Sequence, residues 1–236
     1  MNIYIAEMLG TAVMITLGGG VVANVILSKT KGNNGGFLAI TIGWAMAVFV
    51  GVLMTANFSG AHLNPAVSVG LAVIGKFDWA LVPGYMLAQL AGAMIGSFLT
   101  WVIYRSHFDE TTDAATILAV FSTGPSIKNA QQNFITEFLA TLIFMLVVLF
   151  LTKSTNSLGS LDALPVSLLV LAIGLSLGGP TGYAINPARD LGPRIMHQIL
   201  PVKHKGSSDW EYAWVPVIAP LGGAMAAALI YQLITA

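Results

Sequence analysis

Two short stretches hold the residue types that could do chemistry here: SGAHLNPAVSVG (59–70) and TGYAINPARDLG (181–192), each built around Asn-Pro-Ala. A proline at the first position of a helix has its φ preset, and its missing N–H would have found no intrahelical partner. An asparagine just before it is a favoured N-cap. Asn64-Pro65-Ala66 and Asn186-Pro187-Ala188 therefore spell two helix starts. If they enter a bilayer from opposite sides, they meet head to head near its midplane. Each start then directs about half a positive charge at the meeting point, which repels cations and protons. The Asn64 and Asn186 amides can donate to a passing oxygen. The unwound segments offer the carbonyls of Gly60, Ala61, His62 and Leu63, and of Thr181, Gly182, Tyr183 and Ala184, as acceptors. Donors, acceptors and fixed positive potential in one file pass neutral hydrogen-bonding molecules and reject ions.

The elements that must position these starts are membrane spans. Of 236 residues, 56% are hydrophobic and only 8% charged, with a mean hydropathy of +0.81. A soluble domain carries about a quarter charged residues, and charges are costly in hydrocarbon. Charge-free intervals at 8–28, 79–104, 138–152, 163–188 and 212–236 can each hold one span, since a bilayer core takes about 20 apolar residues. The interval 32–75 is too long for one span and too short for two with a turn. It divides into a full helix at about 37–57 and a short one starting at Pro65. The interval 163–188 breaks similarly at GGPTGYAINPA. The expected fold is all-α and polytopic: six transmembrane helices and two half-helices. Non-helical backbone at such depth is tolerated only where it is buried or lines a wet cavity.

The halves repeat. IAEMLGTAVMITLGG (5–19) parallels ITEFLATLIFMLVVL (135–149), with Glu7 and Glu137 at matching places. A single domain, 1–236, is expected, with inverted repeats about 1–105 and 131–236 joined by a loop, 106–130. Inverted repeats with broken helices at matching positions point to a transport site at the midplane. Gly92 with Gly96 and Gly174 with Gly178 have the spacing of close helix packing. Orientation reads poorly. With a cytoplasmic N-terminus, Lys29, Lys31, Arg105, Lys128, Lys203 and Lys205 fall outside and only Lys76 and Lys153 inside, against the positive-inside rule.

Other chemistries lack their parts. The net charge is zero, which argues against nucleic-acid binding. There are no cysteines, so disulfides and thiol catalysis are excluded. His107, His197 and His204 show no metal-ligand spacing, no serine is convincingly partnered with a histidine, and neither metal nor cofactor is expected. A coupled transporter would use Glu7 and Glu137 as ion sites.

AEMLGT, SGAHLNPAV, AQLAGA, FSTGP, TEF and TGYAINPARDLGP, running in this order over nearly the whole chain, resemble the aquaporin family. Within it they most resemble the aquaglyceroporin branch, the bacterial glycerol facilitators. The resemblance implies a right-handed bundle in an inverted 3+3 arrangement and a homotetramer with one pore per subunit. It also implies a multi-pass protein of the bacterial plasma membrane with both termini cytoplasmic. Counted from the two Asn-Pro-Ala motifs, the family's constriction falls on Trp44, Gly174, Tyr183 and Arg189. Water-selective relatives carry a smaller aromatic and a histidine at the first two positions. Here Gly174 would open the wall, while Trp44 and Tyr183 form an apolar corner. Arg189 would donate to adjacent hydroxyls with its planar fork. Asp190, Arg194 and Pro216 also match the glycerol branch. The resemblance makes Glu7 and Glu137 buried braces of the reentrant loops and puts His62 beside the pore. Tyr183 stands where the best-known facilitators have Phe, adding a hydroxyl able to donate to solute or water, and GGPTG replaces the usual GPLTG. The expected function is a passive channel for glycerol and similar small neutral solutes, with water as co-permeant. The alternative is a water-selective channel with minor solute leak.

Overall fold

A computed structural model describes residues 1–151 and 159–236. Residue 152, the end of one apolar interval, and Lys153 lie outside the described residues. All regular structure among the described residues is helical. In chain order the elements are α1 (Ile3–Ile26), α2 (Gly36–Ser59), α3 (Pro65–Val73), α4 (Val82–Glu110) and α5 (Ala114–Phe121). They continue with α6 (Ala130–Phe150), α7 (Leu164–Leu177), α8 (Pro187–Ile199) and α9 (Val215–Thr235). Short 3₁₀ turns precede α4 and α7.

Helices α1, α2, α4, α6 and α9 are long and apolar enough to cross a membrane. They are apolar nearly all round, so one side packs inward while residues such as Leu38, Leu87 and Leu233 stay exposed outward. That pattern suits lipid contact. The sixth helix departs from the expected full span. α7 has 14 residues, about 21 Å at 1.5 Å per residue. It starts beside Pro165 and stops at Gly178-Gly179-Pro180, a sequence that cannot continue a helix. The expected connecting loop 106–130 also differs, because α5 lies inside it. Asp113 caps α5 by accepting from the Thr116 N–H at 2.8 Å, and the apolar run AATILAVF packs on α1 and α8.

Packing pairs the helices symmetrically. α1 lies on α4 as α6 lies on α9, and each half-helix packs on the last helix of the other half, α3 on α9 and α8 on α4. Gly92 and Gly96 explain the first contact. A Cβ at either would come under 3.0 Å from Met8 O or Ala12 O on α1, so the two backbones touch. Gly223 does the same against Phe138 O in the α6–α9 pair. Gly174 and Gly178 serve otherwise, receiving a side chain from the loop before α8.

Candidate functional site: a polar file at the junction of two half-helices

The reentrant segments are shaped by their carboxylates. Glu7, fully buried on α1, accepts from the His62 N–H (2.9 Å) and the Leu63 N–H (2.7 Å). It also accepts from Ser59 Oγ at 2.6 Å and Gln89 Nε2 at 2.8 Å. Glu137, equally buried on α6, accepts from the Ala184 N–H (3.0 Å) and the Ile185 N–H (3.1 Å). In a trans peptide the N–H of one residue and the C=O of the preceding one point in opposite directions. Turning the N–H groups of 62, 63, 184 and 185 toward the carboxylates therefore turns the carbonyls of Ala61, His62, Tyr183 and Ala184 away from them. The backbone that permits this is unusual. Ala61, Leu63, Tyr183 and Ile185 all have positive φ, between 39° and 49°, a region costly for residues with a Cβ.

Both helix starts form as the motifs predict. Asn64 Oδ1 accepts from the Ala66 N–H at 2.9 Å. Asn186 Oδ1 accepts from the N–H groups of Ala188 (3.0 Å) and Arg189 (3.3 Å). Pro65 and Pro187 take the first helical position. The amide nitrogens do something the spacing could not reveal. Asn64 Nδ2 donates to Ile185 O and Asn186 Nδ2 to Leu63 O, both at 2.9 Å. Each asparagine thus caps its own half-helix and ties the other, which leaves it one amide proton for a permeant. Leu63, expected as a free acceptor, has its carbonyl engaged by Asn186; one lone pair remains available.

A cavity of about 660 Å³ runs past this junction. Its lining combines the polar backbone of residues 60–64 and 183–186 and the Arg189 side chain with apolar side chains such as Val48, Val52, Phe144, Val148 and Val170. α3 leads from the asparagines toward Lys76 at one mouth, while α8 begins at the other side with Arg189. Thr181 and Gly182 do not line this cavity, and Thr181 is fully buried. Gly174 does not line it either.

Beside α8's first turn stand the expected constriction residues. The Arg189 guanidinium lies 4.2 Å over the Trp44 ring centroid, within cation–π range. It donates no hydrogen bond to the described residues, so its N–H fork faces the cavity. Trp44 sits against Gly18 of α1, where any Cβ would meet its ring under 3.0 Å away. Tyr183 is also ring-deep, with 5% of its surface exposed. Its hydroxyl does not reach the cavity, contrary to expectation: the oxygen is buried and has no well-formed hydrogen bond among the described residues.

Behind α8 a lock fixes its first two turns. Buried Asp190 accepts from the Thr123 N–H (2.8 Å) and Oγ1 (2.7 Å) and pairs with Arg194 Nε at 2.8 Å. Arg194, completely buried, donates further to Thr123 O, Ser208 O and Asp209 O. Sequence reasoning did not single out Gly18, Thr123, Ser59 or Gln89. Of these only Gln89, a polar residue in mid-span, carried a signal of its own.

Among the described residues, five helices long enough to cross a membrane and a shorter apolar one, with two half-helices whose Asn-Pro-Ala caps are tied to each other beside a partly polar cavity, define a membrane channel architecture. Residues 1–231 match the major intrinsic protein family, and the chain belongs to that family. It is 50% identical over 232 residues to a probable glycerol uptake facilitator protein of Thermotoga maritima, covering 98% of this chain and 99% of that one. It is 50% identical over 233 residues to the glycerol uptake facilitator protein of Streptococcus pneumoniae strain R6, covering 99% of each. Its fold is similar to the crystal structure of the aquaglyceroporin from Plasmodium falciparum, with a TM-score of 0.87 and 36% identity over 99% of this chain and 96% of that one.

Proposed function

We propose that this multi-pass membrane protein is a passive channel for glycerol and similar small neutral solutes, with water as co-permeant. The observation that carries the reading is the mixed lining of the cavity. The reentrant backbone, the two asparagines and Arg189 line it together with aliphatic side chains. A polyol has the same mixture, hydroxyls and C–H bonds. Its hydroxyls can exchange water for the polar groups while its carbons slide on the apolar ones, so desolvation is offset at each step. Trp44, Tyr183 and Arg189 form the selective constriction, with Gly174 behind Tyr183. The names of the similar proteins agree with a glycerol channel and do not favour the water-selective alternative. No covalent step is involved. We further propose a homotetramer in the bacterial plasma membrane with both termini cytoplasmic and one pore per subunit, the single domain being two inverted repeats.

The test is stopped-flow light scattering on proteoliposomes. A glycerol gradient should give rapid reswelling that follows the solute gradient with no dependence on sodium or on a proton gradient. Shrinkage in sucrose without glycerol entry would mean a water channel instead. Arg189→Val should lower glycerol flux at least fivefold, because it removes the fork that replaces water at adjacent hydroxyls. It should also raise proton leak, read with an entrapped pH dye, since the fixed positive charge contributes to the barrier. Unchanged flux and leak would remove Arg189 from the filter.

A further inference from the structure

We infer that Thr41 is a specificity-determining positioning residue: with Gly174 and Gly178 it holds Tyr183 in a slot, and so sets the width of the constriction. The inference rests on the constriction proposed above. Gly174 and Gly178 lie one turn apart on α7. A Cβ at Gly174 would fall 2.9 Å from Tyr183 Cζ, and one at Gly178 would come under 3.0 Å from Tyr183 Cδ1. The two glycines are therefore the floor on which the ring lies. The facing wall comes from α2, where Phe37 and Thr41 are also one turn apart. Phe37 meets the Tyr183 ring edge-on, centroids 6.2 Å apart. The Thr41 methyl occupies the space a Gly174 side chain would need.

Three further observations show that this is a built seat. Thr41 is fully buried, and its hydroxyl donates to Phe37 O at 2.8 Å, which fixes its rotamer and leaves the methyl toward Gly174. Tyr183 is held in the slot at a positive φ of 39°. Its hydroxyl oxygen is inaccessible to water in the cavity. Tyr183 thus presents carbon to the permeant, as a phenylalanine would. The gap left by the missing side chain at 174 is filled by Thr41 and Tyr183 together, not by permeant.

The experiment is a selectivity ratio on proteoliposomes, glycerol against the larger polyol ribitol, with water flow alongside. Thr41→Ala removes the methyl, lets the ring settle outward and should raise the ribitol-to-glycerol ratio at least threefold. Thr41→Val keeps the volume without the hydroxyl and should restore the wild-type ratio. An unchanged ratio in Thr41→Ala would overturn the inference. So would a Thr41→Val protein that behaves like Thr41→Ala. Wild-type protein in the same vesicles separates the two levels. If it passes no glycerol the channel reading fails; if it does and the ratio stays fixed, only the role of Thr41 fails.

Discussion

Gly174→His is expected to cut glycerol permeation by at least tenfold, about 1.4 kcal/mol in barrier, while water flow stays measurable. The cause is specific to the seat of Tyr183. A Cβ at 174 would lie 2.9 Å from Tyr183 Cζ and closer still to the Thr41 methyl, so an imidazole cannot be accommodated behind the ring. Tyr183 must leave its slot, and the direction open to it is the cavity. The constriction is then narrowed by the displaced ring. Water is small enough to pass such a gap, whereas a three-carbon polyol is not. Stopped-flow rates in sucrose and in glycerol measure both terms on one preparation. Equal loss of the two in a folded protein would make Gly174 a packing residue with no part in selectivity.

The second large effect is on stability. Glu7→Ala removes the acceptor for four donors at once: two backbone N–H groups, a hydroxyl and an amide. Each unsatisfied buried group costs about 1–3 kcal/mol, so the two backbone groups alone account for about 2–6 kcal/mol. Positive φ at Ala61 and Leu63 adds to the effect, because that backbone persists only while the carboxylate holds it. Glu137→Ala, which orphans the Ala184 and Ile185 N–H groups, should be milder. Thermal unfolding in detergent, followed by the monodisperse fraction on size exclusion, ranks wild type above Glu137→Ala above Glu7→Ala. A Glu7→Ala protein as stable as the wild type would show that the reentrant loop holds itself.

Much of this was legible because it is local or periodic. Charge starvation fixed the class, and Asn-Pro fixes a helix start whatever surrounds it, so α3 and α8 begin where the motifs say. α2 runs 36–59 against an expected 37–57, a difference of one or two residues at each end. α5 was missed because its eight residues are too few to span anything and sit among loop residues. The end of α7 was legible too, since it stops at Leu177 where GGPTGYAINPA begins; what the charge-free interval did not show is that the 14 residues before that break fall short of a full span. At the site, residue identity was readable and direction was not. Tyr183 reads as an added donor until its neighbours show the hydroxyl turned away. Thr41 and Gly18 are unremarkable in sequence, since each acts only through a ring that packs against it from a distant part of the chain.

The crossed asparagine bonds also bear on how the chain is made. Asn64 and its acceptor on Ile185 are 121 residues apart, and Asn186 and Leu63 are 123 apart. When the first reentrant segment leaves the ribosome, the partner for its asparagine does not yet exist. Glu7 and Gln89, both in the first half, can hold that loop in outline. The central latch closes only after the segment leading into α8 has been made. Closure of the junction is thus a late event of synthesis, and a chain truncated before residue 185 lacks one partner of each crossed bond.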